Sequence, residues 1–383
     1  MISYGRQYVD NNDIKAVVKV LKGDWLTQGP QVKRFEKLLN SKFGSKYCTA
    51  LSSGTAALHL VAIALGWKKG DIILTTPISF LATSNSILHC HATPVFIDID
   101  KNSFNIDVNK LEKVIVSYQK KGKKISGIIA TDFAGQPCDW KSIKNIADKY
   151  NIITVNDNCH AIGASINNNK KYAIKYADVV VHSYHPVKNI TSGEGGAVFT
   201  NNKLIDQRVK MLRSQGIKRF PSKAPWYYEM VELGYNFRIS DIHCALGISQ
   251  LKKLELFVKK RKLIAKKYDF ALKNIKNLKI PKILHNVSHA YHLYPVRINF
   301  KKFDINKNLF FKNLKKRKIN LQVHYIPIHL QPYYRKKFKF KKGDFPIAEN
   351  FYEEQVSLPI YYSLKNKEVN YIIKQIKNLL KIN

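Results

Sequence analysis

Between residues 50 and 200 the chain alternates short β-branched runs with stretches of helical periodicity, and this alternation constrains its fold more than any other feature. Asp71 to Thr75, Pro94 to Ile99, Ser126 to Thr131, Ile152 to Asn156, Asp178 to His182 and Gly196 to Thr200 read as strands. Leu111 to Lys121 and Trp140 to Tyr150 read as helices between them. Parallel neighbours need long crossovers, usually helical, so the alternation predicts an α/β fold with a mainly parallel central sheet. A further helix, Thr55 to Gly66, is apolar on nearly every face and should be buried, with Ser52, Ser53 and Gly54 ahead of it as caps. Its start leaves unpaired backbone N–H groups at a positive helix end.

Beyond residue 245 the texture changes. A Lys-rich amphipathic helix from Gln250 to Leu272 leads into short strands at Ala290 to Asn299 and Gln322 to Tyr325, and a terminal helix covers Lys367 to Ile382. The expected division is a large domain with its N-terminal segment over 1–248, then a connector helix and a smaller α+β domain over 249–383.

Composition matters for what it excludes. Among 383 residues, 45% are hydrophobic and only 18 are Gly and 13 Pro, which rules out collagen-like and disordered chains. No apolar run approaches the roughly 18–20 residues of a membrane span. The start, MISYGRQYVDNNDIK, lacks the basic and apolar regions of a signal peptide, so a cytoplasmic protein is expected. Cys48, Cys90, Cys138, Cys159 and Cys244 are scattered, without a C-x-x-C pair, and are expected to be reduced thiols; no metal site is expected. The formal charge of +38 raises nucleic acid as a partner. Yet the basic residues are nearly all Lys, spread along the chain in groups such as Lys120 to Lys124 and Lys336 to Lys342, and no nucleic-acid-binding motif accompanies them. They read as solvated surface.

One segment concentrates chemistry. In ADVVVHSYHPVKNITSGEGGAVFTNN, a strand runs into an irregular turn that holds Lys188 among Ser183, His185, Asn189 and Thr191. Ligands collect at the carboxyl ends of strands in open parallel sheets. In so basic a chain a lone lysine means little, and Asp157 alone reads as a helix cap. Together, an amine nucleophile, a carboxylate at a second strand end and an anion-binding helix start are what a pyridoxal phosphate enzyme requires.

The motifs LTQGPQVKRFE (26–36), SSGTAAL (52–58), TTPISFLATSN (75–85), NDNCHAIGA (156–164), SYHPVKNITSGEGG (183–196), LGYNFRISDIHCALG (233–247) and VHYIPIHLQPYY (323–334) carry a resemblance over nearly the whole chain. The sequence resembles the DegT/DnrJ/EryC1/StrS family of nucleotide-sugar aminotransferases, and PWYYEMVELGYNFR, HSYHPVKNITSGEGG and QVHYIPIHLQPYY are most similar to members acting in pseudaminic acid biosynthesis. The resemblance implies the fold type I (aspartate aminotransferase-like) architecture, pyridoxal 5'-phosphate as cofactor, and a homodimer with shared active sites. It implies L-glutamate as amino donor and a UDP-linked 2-acetamido-4-keto-6-deoxy hexose as acceptor, a bacillosamine- or perosamine-type sugar being the alternative.

Position by position, the resemblance makes Lys188 the cofactor-bound lysine and proton shuttle, and Asp157 the partner of the pyridine nitrogen. His160 falls where the family contacts the ring or its 3-hydroxyl, and Phe80 where it stacks on the ring. Gly54, Thr55 and Ser183 fall on phosphate anchors, with Asn236 reaching the phosphate from the partner subunit. Substrate positions fall on Tyr4, Asp24, Trp25, Leu26, Thr27, His324, Tyr325 and His329. The chain departs from the family at Asn156, usually acidic, at Asn158, usually small, and at His182, usually apolar. Related dehydratases carry His in place of the lysine, so Lys188 points to amino transfer.

Overall fold

The computed structural model describes residues 1–382. Seven strands, β1 (Tyr47–Leu51), β2 (Ile72–Thr75), β3 (Thr93–Phe96), β4 (Gly127–Thr131), β5 (Ile153–Asp157), β6 (Val179–Ser183) and β7 (Gly196–Thr200), form one sheet in the order β1-β7-β6-β5-β4-β2-β3. From β3 across to β6 the neighbours are parallel; β7 is antiparallel to both β6 and β1. The protein is an α/β fold with a mostly parallel sheet, and all six sequence-predicted strands of this region are present within a few residues of their expected ends. The helix Trp140–Tyr150 matches its expectation residue for residue, because Asp139 caps its start by accepting from Ser142 N and Asn151 ends it in the left-handed conformation.

The sheet is buried on both faces. One face packs in a cluster that includes Phe35, Ile128, Trp140, Phe199 and Leu254, the other in a cluster that includes Leu60, Ile73, Val155 and Val198. The helix Gly54–Ala64 lies in the second cluster with eight of its eleven residues buried, which accounts for its apolar character all round. A separate core forms around the antiparallel strands Leu278–Lys279, Tyr294–Ile298 and Gln355–Leu358, with Ile264, Tyr268, Phe310 and Ile372 packed on them.

Two expectations need correction. The helix expected from Gln250 to Leu272 is two helices, Asp241–Leu251 and Leu254–Leu272. Lys253 stands at the break, where its Nζ lies 2.7 Å from both Asp10 and Asp13 of the N-terminal helix region, a tertiary contact that periodicity does not encode. The segment Gln322 to Tyr325 is not a strand: only Gln322 bridges, to Ser357, and the backbone then turns toward the cavity described below. All five cysteines are free thiols. Among the described residues, no helix is long and apolar enough to cross a membrane.

Candidate active site

Parallel register brings three strand ends level. Thr131 pairs with Asp157, and Val181, two residues before the end of β6 at Ser183, pairs with Asp157 from the other side. Their carboxyl ends border a cavity of about 690 Å³ whose wall includes Gly54, Thr55, Phe80, Asp157, His160, Ser183 and Lys188. Tyr4, His324 and Tyr325 close it from the N-terminal segment and the later part of the chain.

Lys188 sits on the irregular turn after β6. The turn is braced by Thr191 Oγ1 donating to Tyr184 O at 3.0 Å, and by the Asn189 amide donating to Ile162 O at 2.9 Å and Ala290 O at 3.2 Å. Desolvation by the cavity wall lowers the pKa of the Lys188 ammonium, against the opposing pull of Cys159 and Asp157. An amine held so is nucleophilic at a lower pH than an ordinary lysine.

Asp157 is 4% exposed, and no ion pair to it forms among the described residues. Its Oδ2 accepts from Thr83 Oγ1 at 2.6 Å and its Oδ1 from Cys159 N at 3.3 Å. Thr83 is oriented in turn by Ser79, whose Oγ is 2.7 Å away and also 3.0 Å from Thr131 Oγ1. A buried carboxylate facing a cavity with lone pairs to spare suits a cationic N–H donor such as a protonated pyridine ring.

The anion end is shaped by close backbone approach. The helix Gly54–Ala64 begins against β6 and β7, and a Cβ on Gly54 would come within 2.7 Å of Ser183 Cβ, one on Gly196 within 2.3 Å of Ser53 O. Ser53 satisfies Ala56 N, leaving the first helical N–H groups, of Gly54 and Thr55, at the cavity wall beside Ser183. Donors at a helix N-terminus suit a phosphate. Phosphate cradle, uncompensated carboxylate and low-pKa amine in one cavity fit pyridoxal phosphate.

His160 is buried and neutral, its pKa held well below the usual imidazole range by desolvation and by the nearby Lys188 charge. Its Nδ1 accepts from Ala134 N at 3.3 Å, so Nε2 carries the ring proton and donates to Tyr325 Oη at 3.1 Å. Tyr325 therefore turns its own hydroxyl proton elsewhere. His324 is buried, with Nδ1 2.9 Å from Ser357 Oγ, and desolvation pushes its pKa down to about 3.

Several expected residues lie apart from the cavity of a single chain. Asp24, Trp25, Leu26 and Thr27 are exposed, Trp25 by 58%; Asn236 is exposed and makes a main-chain bridge to Ser214. His329 does not reach the cavity. It is fully buried, with Nε2 2.9 Å from Glu349 Oε1 and its ring against Phe345 at 4.7 Å, and so knits the chain around residues 343–349.

Other residues were invisible in the sequence. Asp132 is fully buried one residue beyond β4 and receives five donors: Cys138 N (2.7 Å) and Trp140 Nε1 (2.7 Å) on Oδ1, and Asn156 Nδ2 (3.1 Å), Asn158 Nδ2 (2.8 Å) and Tyr172 Oη (2.7 Å) on Oδ2. Burial pushes its carboxyl pKa up in spite of them. This explains two departures from the family pattern: amides at 156 and 158 donate to Asp132, where an acidic side chain at 156 would oppose it. The two residues flanking Asp157 are thereby anchored. Asp132→Ala is expected to lower folding stability by at least about 3 kcal/mol, since five abandoned buried donors at about 1–3 kcal/mol each outweigh the relief of the carboxylate's own burial, and denaturant titration of the cofactor-free protein checks it.

The DegT/DnrJ/EryC1/StrS aminotransferase family model matches residues 7–377. The chain belongs to this family. It is 42% identical over 383 residues to the uncharacterized protein MJ1066 of Methanocaldococcus jannaschii, covering 99% of this chain and 97% of that one. It is 40% identical over 374 residues to UDP-4-amino-4,6-dideoxy-N-acetyl-beta-L-altrosamine transaminase of Campylobacter jejuni, covering 97% and 96%. The solved structure of Helicobacter pylori PseC, an aminotransferase involved in pseudaminic acid biosynthesis, superposes with a TM-score of 0.91 at 32% identity, covering 99% of both chains. This aminotransferase is a pyridoxal phosphate enzyme of the nucleotide-sugar class with the fold type I architecture.

Proposed function

We propose that this aminotransferase moves the amino group of L-glutamate to C4 of a UDP-linked 2-acetamido-4-keto-6-deoxy hexose, the aminating step toward pseudaminic acid. The observation that carries the reading is Lys188, a partly buried low-pKa amine, in one cavity with a buried carboxylate that lacks a cation. The choice of sugar is supported by the Campylobacter jejuni relative and by the likeness to PseC.

The bound cofactor supplies an aldehyde carbon and an electron-accepting ring. Gly54, Thr55 and Ser183 would bind its phosphate and Asp157 would keep the ring nitrogen protonated, with Thr83 orienting Asp157. Phe80, 54% exposed at the rim and 6.0 Å from the Tyr325 ring, would cover the face of the cofactor ring. Lys188 Nζ would hold the cofactor's aldehyde carbon until the amine of glutamate displaces it; the freed amine would then take the proton from the amine-bearing carbon of glutamate and, in the second half-reaction, deliver one to C4 of the sugar. His160, held neutral, donates to Tyr325 and directs that hydroxyl's proton into the cavity. Glutamate and sugar use the site in turn, and about 690 Å³ is within the range of small-molecule pockets.

The deciding experiment offers glutamate with the L-arabino or the D-xylo 4-keto epimer and follows 2-oxoglutarate release. The L-arabino sugar is expected to turn over at least tenfold faster. Preference for D-xylo would move the enzyme to the bacillosamine-type branch, and turnover of neither would defeat both readings.

The working unit is a homodimer in this reading, with Asn236 reaching the phosphate of the neighbouring site and Asp24 to Thr27 helping to line it. The exposed apolar side chains Trp25, Leu26, Trp226 and Leu233 support this, being more than a lone soluble chain needs. Light scattering of fully active enzyme is expected to give twice the chain mass; a single-chain mass would contradict it.

A further inference from the structure

The outer face of the Lys-rich helix Leu254–Leu272 turns away from the active-site cavity; only its buried Arg261 reaches that cavity's wall, donating to Val187 O at 3.5 Å and His292 O at 3.2 Å. The helix packs beside the terminal helix Asn366–Leu379, and the two enclose an open groove of about 1490 Å³ that shares no lining residue with the active-site cavity. Leu263 and Phe270, two turns apart on one face, are 50% and 83% exposed in it, and Ile373 faces them from the terminal helix. Lys260, Lys267 and Lys374 stand among these apolar groups. Among the described residues, no Asp or Glu lines the groove. From Lys260 to Ala271 it follows the helix for about 17 Å, at 1.5 Å per residue.

An apolar floor between cationic side chains selects an occupant that is apolar on one face and anionic at its edges. A second copy docking through the same groove is a poor occupant, because it would set Lys260, Lys267 and Lys374 against their own like charges. A concave groove between two helices matches a cylinder better than a flat bilayer, and its floor, in which Leu263, Ala271, Ile275, Ile373 and Ile382 outnumber Phe270 and Phe303, suits aliphatic side chains better than stacked bases. We propose that this groove is a docking site for an acidic amphipathic helix of a partner protein.

The test uses the full-length, cofactor-loaded enzyme and a fluorescein-labelled 18-residue peptide with Leu on one helical face and Glu on its flanks, read by fluorescence anisotropy. Saturable binding at one peptide per chain is expected. Lys267→Glu/Lys374→Glu is expected to weaken it at least tenfold by charge, and Leu263→Ser/Phe270→Ser at least tenfold by loss of the floor, while both keep wild-type transamination. Lys120→Glu/Lys121→Glu, with the same change of net charge elsewhere, is expected to bind as wild type. Equal binding of a scrambled peptide that lacks the apolar face would overturn the proposal, as would equal weakening by the 120/121 control. Displacement of the peptide by polyuridylate or phosphatidylglycerol vesicles at lower concentration than by unlabelled peptide would overturn it in favour of those surfaces.

Discussion

Lys188→Ala is expected to reduce transamination about ten-thousandfold or more, because in the proposed reaction one amine both captures the cofactor and moves the proton, and losing a covalent catalyst removes both roles at once. The fold should persist. Lys188 is held by its main chain, through Lys188 N donating to His185 O at 3.0 Å, and the turn's other bonds come from Asn189 and Thr191. Its ammonium pays desolvation in the folded chain, so alanine removes an unfavourable burial. Cofactor should still bind through its phosphate and ring nitrogen, without the visible absorbance of the lysine-linked form. A purified variant retaining wild-type turnover would refute the assignment of Lys188. The lowered pKa has a pH consequence of definite sign: the neutral amine is populated at lower pH than in free lysine, so cofactor capture by the apoenzyme should reach its maximal rate below the ordinary lysine range.

Asp157→Asn is expected to cost about 10²–10³-fold in turnover, comparable to removing one preorganised charge partner from an active site. The amide keeps an oxygen for Thr83 or for Cys159 N, which now donate at 2.6 and 3.3 Å, so the pocket should keep its shape. It loses the negative charge that stabilises a protonated ring nitrogen. The apo variant should be no less stable than wild type, since a buried charge without a cation has been removed. The diagnostic result is a fall in kcat with near-normal cofactor binding. An unchanged kcat would mean that another group holds the ring nitrogen.

Much of the candidate site was legible because its parts lie at strand ends, which local pattern marks. Lys188 follows a β-branched run and is surrounded by small residues, and Asp157 closes another such run. The helix start that lines the cavity was visible in Ser-Ser-Gly ahead of an apolar helix. The links between these parts were not visible. Thr83 lies 74 residues from Asp157, Tyr325 is 165 from His160, and Asp132 reaches Asn156 and Asn158 across neighbouring strands. No local periodicity distinguishes Thr83 from any other helical threonine, or Asp132 from a turn aspartate. His329 shows the converse: its place in a motif suggested the substrate, while packing against Phe345 and Glu349 turned it inward.

By itself, then, the sequence determined which segments extend and which coil, where the reactive side chains fall along them, and that the sheet between residues 50 and 200 is mainly parallel. These follow from backbone propensity, side-chain periodicity and capping, which act over a few residues. The tertiary structure alone decided the strand order with β1 beside β7, the break at Lys253, the hydrogen-bond partners of Asp157 and His160, the burial of His329 and the basic groove along the Lys-rich helix. Each depends on which distant surfaces close on one another when apolar area leaves water, and that choice is made by packing the whole chain at once.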